Sequence, residues 1–126
     1  MIMNILLVDD DQLLTTILKM QLEEKGHRID VAYNGYDGSG LALKNSYDVI
    51  ILDLMLPGMN GRKVCTELRE NHVETPILMI SSLSSAEEKH SGIMAGADEY
   101  MVKPLPFEVL HEKIILLGRM RRNSSG

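Results

Sequence analysis

The chain has 126 residues and a formal net charge of −5. That size suits one domain, and the acidic balance (pI near 5.3) excludes a general affinity for nucleic acid or anionic membranes, which needs clustered basic residues. The single cysteine, Cys65, excludes an internal disulfide and is expected half-buried on a helix as a small hydrophobe.

Met3 to Val8 reads as a buried strand. Asp9, Asp10 and Asp11 cut this run short, so it is neither a signal peptide nor a membrane span, and the expected location is cytoplasmic. Leu14, Ile17, Leu18 and Leu22 then fall at helical spacing until Lys25-Gly26, with Asp11 as the expected cap. Arg28 to Tyr33 alternates like an edge strand, and Asn34-Gly35 reads as a turn. A helix over about Tyr36 to Asn45 follows, kept on topological grounds because Gly38 and Gly40 each cost about 1 kcal/mol against Ala.

Val49 to Leu52 is too short for a helix and too continuous for a strand with one wet face, so it predicts a strand buried on both sides and ended by Asp53. Pro57-Gly58 favours a type II turn. A helix starts near Asn60-Gly61, buries Val64 and Leu68 and ends around Asn71. Ile77 to Ile80 is a further apolar strand ending in Ser81. The next helix is weak: Ser85 and Glu88 offer a capping box, but apolar anchors are few. Glu99 to Val102 makes the last strand, and Phe107 to Arg121 the last helix, with Leu110, Ile114 and Leu117 on one face. Arg119, Arg121 and Arg122 suit its negative end. Asn123 to Gly126 reads as a disordered tail or linker start. His27, His72, His90 and His111 lack ligand spacing and read as surface residues.

Five βα units in one chain predict a single doubly wound (βα)5 domain, α/β in class, with a parallel sheet, helices on both faces and the continuous apolar runs as central strands. The strand ends then gather Asp9, Asp10, Asp53, Ser81 and Lys103 at one rim, where open α/β sheets hold their ligands. Carboxylates about 4 Å apart repel by about 4 kcal/mol at an effective dielectric near 20, so a positive partner is required. A hard oxygen set without cysteine or suitably spaced histidine points to Mg²⁺, with Mn²⁺ as a substitute. Carboxylate, metal, lysine and hydroxyl together describe phosphoryl transfer to an aspartate.

Four segments in order carry a resemblance: Ile5 to Asp10, Asp53 to Gly61, Ile80-Ser81-Ser82 and Gly96 to Pro104. Together they closely resemble the receiver domain of two-component response regulators, over residues 1–122. The resemblance implies a flavodoxin-like strand order 2-1-3-4-5, Asp53 as phosphoacceptor from a histidine kinase or phosphotransfer protein, and Mg²⁺ held by Asp10, Asp53 and the Met55 carbonyl with help from Asp9. Lys103 resembles the phosphoryl-binding lysine, Ser81 the switch hydroxyl and Tyr100 the switch aromatic. A cis bond is expected at Lys103-Pro104.

The last helix resembles receivers that precede a winged-helix DNA-binding domain. That implies an output in transcription and a homodimer formed on phosphorylation through the fourth helix, fifth strand and fifth helix, with no nucleic-acid contact by this domain itself. Val109 departs from the acidic residue usual on that face, while Lys89, Glu99 and Lys113 remain for ion pairs. Met55 and Leu83 depart from the polar residues that many receivers carry there. Two readings of other kinds stand beside the receiver. One is a phosphorylation-independent interaction module. The other is a Mg²⁺-dependent aspartyl-phosphate hydrolase, which would carry Asp rather than Met at position 55. A flavin-binding module of the same architecture is disfavoured because Asp9 to Asp11 would repel its phosphate.

Overall fold

The computed structural model describes residues 2–124, with side chains as far as Met120. The three continuous apolar runs form β1 (Asn4–Val8), β3 (Val49–Asp53) and β4 (Ile77–Ser81), and the more polar segments form the edges β2 (Arg28–Ala32) and β5 (Glu99–Val102). The sheet order is β2-β1-β3-β4-β5, with every pair parallel. This is the expected doubly wound sheet, and the strands enclosed by two neighbours are the ones without polar alternation.

Four helices connect the strands and a fifth follows β5: α1 (Gln12–Glu24), α2 (Gly35–Lys44), α3 (Gly61–Glu70), α4 (Ala86–Met94) and α5 (Phe107–Ser124). Because side chains alternate along each strand, the sheet has two cores. Leu6, Ile50, Leu52, Ile77 and Met79 pack on Ala42, Val64, Cys65 and Leu68 of α2 and α3. Ile5, Leu7, Ile51, Leu78 and Ile80 pack on Leu18, Leu22, Leu110, Ile114 and Leu117 of α1 and α5. Cys65 is fully buried rather than half-buried, and burial pushes its thiol up to about 11.

The caps follow the sequence signals closely. Asp11, Asn60 and Ser85 accept from the backbone N–H groups of Leu14, Lys63 and Glu88. The carboxylate of Glu88 does not return to the cap; it pairs with Arg62 of α3 at 3.0 Å. Gly58 has a φ of 76°, as the Pro57-Gly58 turn requires, and the Lys103-Pro104 bond is cis.

Four further expectations need correction. Asn34-Gly35 is not a free turn: Asn34 caps α2 by accepting from Asp37 N–H, and Gly35 is the first helical residue. A Cβ on Gly35 would lie 1.8 Å from the Met59 carbonyl oxygen, so glycine lets the start of α2 seat against the loop after β3. Ile17 is 41% exposed; the inward stripe of α1 is Thr15, Leu18 and Leu22, because Ile17 lies one step round the helix from Leu18. Helix α5 runs to Ser124 rather than to the expected end at Arg121, and Ser125 and Gly126 lie outside the described residues. His27 is buried at 4% exposure rather than at the surface, and its ring meets His111.

α4 is the least embedded helix, since its one buried residue is Gly92. A Cβ there would stand 2.8 Å from Met79 Sδ and 3.3 Å from the Tyr100 ring. Among the described residues no helix is long and apolar enough to cross a membrane.

Candidate functional site

β1 and β3 end side by side, with Val8 opposite Leu52, so Asp9 and Asp53 leave the sheet as neighbours. Both are buried, whereas Asp10 is exposed. One carboxylate oxygen from each of Asp9, Asp10 and Asp53 can be chosen so that all lie within 4.8 Å of one another. Lys103 follows β5, and its backbone N–H donates to the Ser81 carbonyl at 2.8 Å, which brings the lysine to the same rim.

The Lys103 ammonium sits 2.8 Å from Asp9 Oδ2 and donates to Asp53 Oδ2 at 3.2 Å. Asp53 Oδ1 accepts from Met55 N–H at 3.1 Å, and Asp9 Oδ1 from Asp11 N–H at 2.9 Å. Asp9 Oδ2 is buried and has the ion pair with Lys103 but no properly directed hydrogen bond. One cation thus serves two buried carboxylates, with a third beside them.

The electrostatic consequence is visible in Asp53. Burial, and then the charge of Asp9, push its carboxyl up to about 6, against the opposing pull of Lys103 and the Met55 N–H. For Lys103, burial works against the ammonium, but the contact with Asp9 and the charges of Asp53 and Asp9 outweigh it and raise its pKa. The centre is therefore short of positive charge. A hard divalent cation fits that deficit and the all-oxygen donor set, and Asp9 Oδ2 is an acceptor already turned inward with capacity to spare.

Ser81 and Tyr100 meet at a different point from the carboxylates. Ser81 is fully buried and its Oγ accepts from Leu83 N–H at 3.0 Å, while the buried Tyr100 hydroxyl donates to the Leu83 carbonyl at 2.8 Å. Both switch candidates thus hold the same residue of the loop between β4 and α4. The Met55 and Leu83 side chains are exposed on the two loops that border the carboxylates. Asp11 caps α1 and takes no part in the cluster.

Two polar groups escaped the sequence reading. Arg69 donates to the carbonyls of Gly96, Val73 and Thr75 and to Asp98, whose carboxylate also accepts from Ile77 N–H. Asp98, two residues before Tyr100, was the one legible clue, as part of the Gly96-Ala97-Asp98 lead-in. The other group is the His27–His111 pair, for which the sequence carries no signal.

A five-stranded parallel sheet in this order, with three acidic groups and a lysine at its carboxyl rim, defines a receiver, and the chain belongs to the response regulator receiver domain family, whose model matches residues 5–115. It is similar to the response regulator ArlR of Staphylococcus saprophyticus, 42% identical over 111 residues that cover 88% of this chain and 50% of that protein. The ArlR of Staphylococcus aureus matches at the same identity and coverage. The chain therefore spans about half the length of these curated relatives. Among solved structures, the Francisella response regulator 1452 receiver domain superimposes with a TM-score of 0.91 at 32% identity, covering 94% of this chain and 98% of that one. A two-component response regulator from Clostridium difficile superimposes with a TM-score of 0.87 at 34% identity, covering 92% and 95%.

Proposed function

We propose that this cytoplasmic receiver, spanning residues 1–122, takes a phosphoryl group onto Asp53 from the phosphohistidine of a histidine kinase or phosphotransfer protein. The observation that carries the reading is the pair of buried carboxylates, Asp9 and Asp53, sharing the single ammonium of Lys103. A structural ion pair would be balanced; this one holds surplus negative charge in low dielectric, which is costly unless a ligand uses it. Asp9, Asp10, Asp53 and the Met55 carbonyl would hold Mg²⁺, or Mn²⁺ in its place. When bound, the cation supplies positive charge to the phosphoryl oxygens and to the carboxylates around them.

The residues of the chain perform the rest. A carboxylate oxygen of Asp53 forms the new O–P bond as the donor's N–P bond breaks, and the imidazole leaves with the electron pair. Met55 N–H and Lys103 hold the two oxygens of Asp53 in place beforehand, so orientation is set before the donor arrives. Lys103 is then the positive group nearest the new phosphoryl charge. Ser81 can exchange its bond from Leu83 N–H for donation to a phosphoryl oxygen, which loosens the loop that Tyr100 also holds. That route leads from the chemistry to α4, β5 and α5, the surface on which we place homodimer formation and control of an output in transcription. The chain acts as a phosphoacceptor that assists its own phosphorylation rather than as an enzyme that turns over a substrate. Met55, exposed where a hydrolase would carry a second aspartate, agrees with this.

Incubation with acetyl phosphate and Mg²⁺, followed by intact mass measurement, should add one phosphoryl group, and Asp53→Asn should abolish it. Equal labelling of the variant overturns the assignment.

A further inference from the structure

We propose that His27 and His111 form a proton-operated latch joining the start of β2 to the first turns of α5. His27 Nδ1 accepts from the backbone N–H of Met3 at 3.1 Å, and its Nε2 faces His111 Nε2 at 3.0 Å. The Phe107 ring is stacked on His111, at 5.6 Å between centroids and 8° between planes. His27 is buried, so water cannot replace a lost partner without the ring moving.

These contacts allow one arrangement of protons. Because Nδ1 of His27 is an acceptor, its proton is on Nε2 and is donated to His111, whose own proton must then be on Nδ1. Neither ring keeps a free site inside the pair. A proton added to His27 goes to Nδ1 and opposes Met3 N–H; a proton added to His111 goes to Nε2 and opposes the N–H of His27. Each event removes one hydrogen bond and leaves two donors face to face.

The surroundings give an added proton no help. The groups acting on His27 are burial first, then His111, then the N-terminal ammonium, all disfavouring the cation. The charged neighbours on the adjoining elements are Glu24 and Lys25 at the end of α1, Arg28 on β2, and Glu108 and Glu112 on α5, and none forms an ion pair with either ring. A metal on both Nε2 atoms would require the His27 proton on Nδ1, against Met3 N–H, so the pair is built to respond to a proton. Acid thus releases the first turns of α5 from β1 and β2. That this alters the signalling surface rests on the receiver reading; the latch itself does not.

Ring ¹⁵N spectra of the full chain at pH 7.5 should show the Nε2–H tautomer for His27 and Nδ1–H for His111. Between pH 7.5 and 5.5, hydrogen exchange in the first two turns of α5, corrected for its intrinsic pH dependence, should accelerate about tenfold more than in β3. The double variant His27→Gln/His111→Gln should lose that difference. A proton on His27 Nδ1 in the neutral protein, or equal acid sensitivity of α5 in the double variant, overturns the proposal. Should the double variant fail to fold, the tautomer and the wild-type exchange decide it alone. No phosphoryl donor enters these measurements, so their outcome is separate from that of the Asp53 labelling.

Discussion

The two ends of the sheet treat charge in opposite ways. At the amino end of the strands, Arg69 spends its donors on three carbonyl groups and Asp98, tying the end of α3 to β4 and to the turn before β5. At the carboxyl end, Asp9 and Asp53 crowd a single lysine, and one buried oxygen lacks a directed hydrogen bond. A cluster with its partners complete stabilises the fold, while one left incomplete keeps chemical capacity at a cost in stability.

The largest effect should come from breaking the complete end. Arg69→Met keeps the aliphatic stem but leaves the carbonyls and Asp98 without their donor, at about 3 kcal/mol, or a fall of roughly 10 °C in melting temperature. Thermal unfolding checks this, and a fall of only a degree or two would mean that water replaces the guanidinium. An intermediate effect should come from completing the deficient end. Mg²⁺ at ten times its dissociation constant should stabilise the wild type by about 1.4 kcal/mol, seen as a higher melting temperature. Asp9→Asn should weaken that response while lowering the metal-free melting temperature little, since it removes repulsion together with an ion pair.

A further effect concerns pH without metal. Asp53 is raised in the folded chain from 3.8 to about 6. The folded state therefore binds more protons than the unfolded one between those values, and stability falls as pH rises through that window. In EDTA, the difference between wild type and Asp53→Asn should shift against the wild type from pH 4 to pH 7, measured by denaturant unfolding at each pH. An opposite slope would mean that Lys103 outweighs burial and Asp9. The latch at His27 works in the reverse sense, its stabilisation being lost as pH falls below the ordinary histidine range, so the subtraction is needed to separate them.

Strand positions and rim residues were legible because both depend on local pattern. Unbroken apolar runs mark strands with two covered faces, and whatever follows such a run must emerge at the carboxyl rim; hence the pattern alone places Asp9, Asp53 and Lys103 together. Arg69 was invisible because most of its partners are backbone carbonyls, which every residue carries and no sequence distinguishes. His27 was misplaced for a related reason: its partner lies 84 residues away, and a histidine just outside a strand reads as solvated. Ile17 shows the limit of helical spacing, since the inward stripe is turned toward Thr15 and leaves Ile17 beyond its other edge. The inward position of Tyr100 depends on Gly92 in α4, a contact that no periodicity encodes.

That glycine sets how firmly α4 is held. A helix whose one buried residue has no side chain can slide or tilt without withdrawing a side chain of its own from the core, so moving it need not cost the many kcal/mol that separate folded from unfolded. Among the described residues, the side-chain bonds that hold α4 are those of Arg62 to Glu88 and Ser91, with the Tyr100 hydroxyl on Leu83 holding the loop that leads into it. Bonds of that kind contribute about 1 kcal/mol each, and a shift from one part in a hundred to ninety-nine needs about 5.5 kcal/mol. Three such bonds stay below that figure, which leaves α4 lightly held, as a rocker resting on one point.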